Sequence, residues 1–402
     1  MAMTTDGEAR ELARLVRLRR DLHRIPETGY DLDETVAYVE GVLGRLSCVV
    51  ERPCRSCVTA WFDFGAAETV AIRADMDALP IEERSGVGFR STHPGRMHAC
   101  GHDAHMAMAL VAAEWVDGLA HGSGRGLRRN VLFVFQPAEE TSGGALSVCE
   151  SGVLRRHGVT SIFGFHVWPD LPGGLVASRP GPLLARSSEV TLTVRGESRH
   201  IAKCLALPER EVRDANLACS RFAVAASDAM AGLAADEPCL CRFGHVAGGV
   251  VRNAIAGECV LEGSLRVFSD AMFARARGAL EACAREACAP CGCEWDLHFS
   301  EGNPPVVNDP ELYGLVERAL AGINARVADG SADGVTMADG GLARVGDPLL
   351  IAEDFASYQL FVPGVFLLLG TGTGIALHSD EFVLDERVLL RGVEAYRRLL
   401  LA

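Results

Sequence analysis

Four short apolar runs, TVAIRA (69–74), VLFVF (131–135), SIFGFHV (161–167) and VFLLL (365–369), constrain this chain most strongly. Each has the length and the β-branched or aromatic content of a strand buried on both faces. Helical periodicity separates them, over His105 to Leu119 between the first pair and Gly144 to Leu154 between the second. A further helix is expected over 8–24, ended by Pro26, and another over Glu34 to Leu46. Strand, helix, strand, helix implies an α/β fold, a mixed sheet flanked by helices and joined by right-handed crossovers.

The pattern changes near residue 186. Residues 188–195 (SEVTLTVR) alternate polar with apolar, as a strand with one solvated face does. A helix from Val212 to Leu233, strands near 239–247 and 258–268 and a helix from Ala271 to Ala289 follow. This β-α-β-β-α order suits a small α+β layer. The expected organisation is a discontinuous α/β domain, 1–185 with 299–402, carrying an inserted α+β domain over 186–298.

At 402 residues two domains are expected, and a formal net charge of −14 repels nucleic-acid phosphates and anionic membrane surfaces. A small-molecule partner is therefore expected, with no nucleic acid and no membrane. No run of about eighteen apolar residues marks a membrane helix, and Met1 to Glu11 lacks the apolar core of a signal peptide. Fourteen cysteines without such a leader suggest free thiols in a reducing compartment, hence the cytoplasm.

Ligand-type side chains gather just past the expected strands. MHACGHDAH (97–105) alternates His98, Cys100 and His102, which an extended segment would point to one side. A His-rich loop is often only a polar turn, but thiolate and imidazole two residues apart suit zinc or a similar ion. VLFVFQPAEE ends in two adjacent carboxylates, Glu139 and Glu140. Such a pair is either a solvated loop or a site in which one carboxylate binds a metal while the other moves a proton. His166 ends SIFGFHV, and His378 follows VFLLLGTG in GIALHSDEF. Singly, each of these histidines reads as an ordinary core or loop residue. Convergence of four strand ends is what singles them out.

With these residues in place, the chain resembles the aminoacylase/carboxypeptidase group of dinuclear metallopeptidases (clan MH), in the amidohydrolase branch of indole-acetyl-amino acid hydrolases, hippurate hydrolases and N-acyl-amino acid deacylases. The resemblance runs in order through LHRIPETGYDLDET (22–35), IRADMDALPIEE (72–83), MHACGHDAHMAMAL (97–110), VLFVFQPAEE (131–140) and FGFHVWPDLPGG (163–174). It continues through GGVVRNAIAGECVLEGSLR (248–266), IAEDFASY (351–358) and ALHSDEF (376–382). It implies two divalent ions on Cys100, His102, Glu140, His166 and His378, Glu139 as general base, and Asp77 as a residue steadying the metal site. The thiolate favours zinc, with manganese, cobalt or nickel as alternatives. It also implies that 186–298 is a lid through which the chain forms a homodimer. In that lid His200 would stabilise the oxyanion, and Asn253 and Arg266 would hold the substrate carboxylate. The implied reaction is hydrolysis of the amide bond of an N-acyl amino acid or a similar conjugate. The alternatives are a dipeptidase or carboxypeptidase on the same scaffold, or a relative repurposed for a pathway intermediate.

The lid departs from the family pattern. GESRHIAKCLALPE (196–209) keeps His200, but Arg199 replaces a glycine and Cys204-Leu205 stand where Pro-His is expected. Asn253-Ala254-Ile255-Ala256 replaces Asn-Val-Ile-Pro. Cys54-x-x-Cys57 and Cys288-x-x-Cys291-x-Cys293 have zinc-like spacing, but neither has a nearby partner pair to complete a tetrahedral site. The resemblance gives them no role.

Overall fold

The computed structural model describes residues 5–121, 127–141, 143–325, 327, 334–337 and 339–402. The chain divides into two compact units, Met1–Leu183 with Val307–Asp347 and Asp354–Ala402, and Leu184–Val306 with Pro348–Glu353. The short Pro348–Glu353 segment belongs with the second unit because the carbonyls of Leu349 and Ile351 both accept the N–H of Ala185, at 3.0 and 2.9 Å.

The first unit is built on a nine-stranded mixed sheet. Its centre is four parallel strands in the spatial order Asn130–Gln136, Thr69–Asp75, Val159–Trp168, Gly364–Gly370. These are the four apolar runs of the sequence, lengthened by one to three residues. Three are buried at every position and Val159–Trp168 at all but one, as parallel strands covered on both faces must be. Val58–Phe62 adds antiparallel to Asn130–Gln136, and Val49–Glu51 to it in turn. Val176–Ser178, Ala343–Val345 and Val335–Thr336 complete the other side.

The His102–His121 helix lies on this sheet, buried along most of its length. The Thr5–His23 helix is bound to it by a polar network. Arg19 donates to Asp103 at 3.0 Å, and both side chains are buried. The His23 ring meets Asp103 through Nδ1 at 2.8 Å and Glu83 through Nε2 at 3.2 Å. With a carboxylate at each nitrogen the ring is favoured as imidazolium. Burial opposes this, but the Asp103 charge and the hydrogen bonds to Asp103 and Glu83 together outweigh it and the His23 pKa rises.

Glu83 also accepts the Ser91 N–H at 2.6 Å, and although burial pushes its pKa up, His23 and Ser85 hold it at about 2. Its contribution is therefore present above the ordinary value of 4.5 and is lost as pH falls through about 2. His23, raised from 6.5, contributes fully below that value and loses its contribution as pH rises through its folded-state pKa. Urea unfolding between pH 5 and 2 should accordingly show a fall that Glu83→Gln flattens by about 2–3 kcal/mol.

The second unit has a four-stranded antiparallel sheet in the order Glu294–Phe299, Arg186–Arg195, Glu258–Val267, Leu240–Gly248. Val190, Leu192 and Val194 alternate inward, with Phe222 and Met230 of the Ala215–Leu233 helix and Leu280 of the Asp270–Cys291 helix in the same core.

Three expectations change in detail. The helix expected from Gly144 to Leu154 is two, Gly144–Glu150 and Val153–Arg156, because Gly152 takes φ +74° between them. The helix expected from Val212 starts at Ala215, where the Asp214 carboxylate caps the N–H groups of Asn216 and Leu217. The strand Glu294–Phe299 was not expected. It is an edge strand with few buried positions, so its alternation is weak.

Candidate metal centre

The four parallel strands all deliver their next residues at their C-terminal ends, where open α/β sheets place ligands. Asp77 follows Thr69–Asp75 by two residues, and Glu139 and Glu140 follow Asn130–Gln136. His166 lies near the end of Val159–Trp168, and His378 follows Gly364–Gly370 after a loop. Cys100 and His102 join them at the start of the His102–His121 helix. Gly101 between these two takes φ +85°, and a Cβ there would stand 2.4 Å from Val167 Cγ2. Only glycine lets the thiol and the imidazole lie this close to the His166 strand.

Asp77 organises the centre. Its carboxylate accepts the backbone N–H of Glu139 at 3.0 Å and of Glu140 at 3.1 Å. Its backbone carbonyl accepts Nδ1–H of His102 at 2.7 Å, which leaves the His102 Nε2 lone pair directed inward. In the same way Nδ1 of His166 is used on the Val167 carbonyl at 2.7 Å, and Nε2 lies 3.4 Å from Cys100 Sγ. His378 holds φ +65° with its N–H on the Ala99 carbonyl at 2.9 Å, and its Nε2 is 3.4 Å from Glu140 Oε1. Ala138, the residue before the two glutamates, also lies in the left-handed region at φ +54°.

Three sets of ligand atoms that could hold an ion therefore overlap: Cys100–His102–His166, Cys100–Glu140–His378 and His102–Glu139–Glu140, each within 4.8 Å. Among them His102 Nε2 and Glu140 Oε1 are buried without a hydrogen-bond partner, an arrangement that costs stability unless a cation meets them. The electrostatics agree. Burial opposes a charged His102, yet Asp75, Asp77 and Glu140 raise its pKa to about 10. Burial works against charge on Glu140 too, yet His378 and His102 hold its pKa at about 2. Burial and the two glutamates push the Cys100 thiol well up. These surroundings call for positive charge, and they allow a thiolate only beside a cation. The donor set fits divalent metal ions.

His98 does not join this group. Its ring lies 6.3 Å from that of His23, and Ala99 and Cys100 form a turn in place of the extended run that would have aligned it with Cys100 and His102. Two residues not singled out in the sequence do join it. Asp75 lies 3.7 Å from His102 Nε2 and accepts Nδ1–H of His105 at 2.6 Å. His105 Nε2 in turn accepts the Val167 N–H at 2.9 Å, so one ring ties the Thr69–Asp75 strand to the His166 strand. The spacing of His105 three residues past His102 on one helix face, and of Asp75 two before Asp77, was the available signal.

His200, Asn253 and Arg266 belong to the second unit. His200 is exposed, its Nδ1 accepts the Ala202 N–H at 3.2 Å, and the N–H of the next residue, Ile201, donates to the Asn253 carbonyl. Arg266 donates to the hydroxyls of Ser187 and Ser264. The unexpected Arg199 is paired with Glu197 at 2.9 Å, so its charge is locally offset.

A profile of Peptidase family M20/M25/M40 matches residues 71–402. The chain belongs to this family. A Synechocystis protein described as a probable hydrolase is 34% identical over 391 residues, 95% of this chain and 93% of that one. A crystal structure from Bacillus subtilis, described as a dinuclear metal binding peptidase of the M20 family, superposes with a TM-score of 0.79 at 29% identity, covering 98% of each chain. The fold is shared more distantly with an aminobenzoyl-glutamate utilization protein from Klebsiella pneumoniae, at a TM-score of 0.64 and 20% identity over 98% of each chain. The protein is thus a hydrolase with the family's α/β fold.

Proposed function

We propose that this M20 hydrolase cleaves the amide bond of an N-acyl amino acid or a similar conjugate. Cys100, His102, Glu140, His166 and His378 would hold two divalent ions, zinc favoured by the thiol and manganese, cobalt or nickel also compatible. The observation that carries this reading is the Asp77 clamp, which fixes two adjacent carboxylates beside His102. Bound ions supply Lewis acidity at the substrate carbonyl and acidify water. Glu140, in contact with His378 and His102, serves as ligand. Glu139 takes the proton of the attacking water and returns it to the departing nitrogen. His200 would stabilise the oxyanion through Nε2, since Nδ1 is engaged, while Asn253 and Arg266 would bind the substrate carboxylate. Peptide hydrolysis is the second reading, favoured by the description of the Bacillus subtilis relative as a peptidase.

Elemental analysis should find about two ions per chain, and Cys100→Ala should lower that content. Turnover of N-acyl amino acids but not of dipeptides separates the two readings; the reverse profile would overturn the first.

A homodimer through the second unit is also proposed. Leu240–Gly248 is an edge strand, and Val246 on it and Val250 and Val251 just after it are 62%, 98% and 57% exposed. An uncovered apolar edge favours pairing with a second copy. Light scattering should give twice the chain mass, and Val246→Lys with Val250→Glu should return it to that of one chain. No helix among the described residues is long and apolar enough to cross a membrane. The fourteen cysteines, all free, support the cytoplasm as its compartment.

A further inference from the structure

Cys54 and Cys57 occupy the first and last positions of a tight turn. The N–H of Cys57 donates to the carbonyl of Cys54 at 3.2 Å. In such a turn the terminal Cα atoms lie within about 7 Å, and a disulfide spans about 4.4–6.8 Å. The two side chains act on each other's ionisation, Cys57 drawing the Cys54 pKa down and Cys54 pushing the Cys57 pKa up. Cys54 is half-buried and reachable, whereas Cys57 is fully buried. Ser56 between them holds φ +56°, fixed by its hydroxyl on the Tyr30 carbonyl at 2.6 Å. Among the described residues no third ligand closes on the pair within 4.8 Å, so the zinc-like spacing does not produce a zinc site.

We propose that Cys54 and Cys57 form a redox-active dithiol that closes to an intramolecular disulfide by exchange with a low-molecular-weight disulfide. Cys54 is the attacking sulfur. It is the more exposed of the two, and Cys57 beside it lowers its pKa and so raises its thiolate fraction, while burial and Cys54 push Cys57 well up. The Cys54 thiolate attacks one sulfur of the small disulfide, breaks its S–S bond and expels one thiolate, leaving a mixed disulfide on Cys54. Cys57 then loses its proton and attacks the Cys54 sulfur, expelling the second thiolate. The protein gives up two electrons and two protons, and the small disulfide becomes two thiols.

The pair is joined through the chain to the strand that ends at the two glutamates. Cys57 leads into Val58–Phe62, where Val58 lies opposite Phe135 of the strand that runs to the two glutamates. Tyr30, held by Ser56, is preceded by Gly29, whose carbonyl accepts the Ala138 N–H at 3.1 Å. Two hydrogen bonds thus link the dithiol to the residue before Glu139.

The test exposes the reduced full-length protein to glutathione disulfide, alkylates it and digests it with trypsin, which cuts after Arg55 between the two cysteines. The wild type should lose two hydrogens (~2 Da) and yield the Cys54 and Cys57 peptides joined. Cys57→Ser should accumulate a glutathione adduct on Cys54, because no partner resolves it. Cys54→Ser should leave Cys57 unmodified. Recovery of both cysteines alkylated in the wild type, or linkage of Cys54 to any cysteine other than Cys57, would overturn the proposal. The decisive result comes from the unaltered protein, so it does not depend on how the variants fold.

Discussion

Glu139→Gln is expected to lower kcat for amide hydrolysis by about 10²–10⁴-fold, the usual worth of general acid–base catalysis, and to leave metal content unchanged. The two side chains have nearly the same shape, and the Glu139 backbone is fixed by its N–H on the Asp77 carboxylate at 3.0 Å. The substitution therefore removes basicity and little else. Glu140→Gln makes the contrasting case. Glu140 Oε1 is buried without a hydrogen-bond partner and lies 3.4 Å from His378 Nε2, so its loss should appear first as lost metal. Parallel assays of turnover and metal stoichiometry on the two variants separate the roles. A Glu139→Gln enzyme of undiminished kcat would remove Glu139 from the chemistry, and one that had lost its metal would make it a ligand instead.

The parts of this centre that were readable in the sequence are those set by strand ends. A strand buried on both faces is an uninterrupted apolar run, so the four central strands and the residues following them stand out. The contacts that orient the ligands were not readable, because they are made by backbone groups. Nothing in RADMDALP says that the Asp77 carboxylate receives two N–H groups from residues 62 and 63 positions away. Nor does the alternation of His98, Cys100 and His102 show the turn at Ala99 and Cys100, which leaves His98 beside His23 instead. Weakly patterned pieces were lost for a related reason. Val58–Phe62 (VTAWF) is short and has no flanking helix in its own register, and Glu294–Phe299 is a half-exposed edge. The second unit keeps its period-two signal because one sheet face is solvated.

Arg73→Leu is expected to destabilise the first unit by about 3–5 kcal/mol, the cost of stripping a buried ion pair of one partner. Arg73 is on the central Thr69–Asp75 strand and is fully buried. Its guanidinium donates to Asp75 at 2.6 Å, to Asp354 at 2.9 Å and to Gln136 at 2.8 Å. Burial alone would raise the pKa of Asp75, but the charges of His102, Arg73 and His105 hold it well down. Asp354 in turn accepts from Gln136 and from the N–H of Ala145 on the helix that follows the two glutamates. Removing the cation leaves two buried carboxylates facing each other's field, one of them beside the metal centre. Lysine would not rescue it, since a single ammonium cannot present the three directed donors that the fork supplies. Three of the four tryptophans, Trp61, Trp115 and Trp168, belong to this unit, and Trp295→Phe removes the fourth. Urea unfolding in that background, followed by fluorescence, reads the first unit alone. Adding Asp354→Asn to Arg73→Leu should recover part of the loss by discharging one stranded carboxylate. A single-variant cost below about 1 kcal/mol would mean the carboxylates are solvated or protonated once Arg73 is gone, and the network would then not be what holds the two strands and the glutamate loop in register.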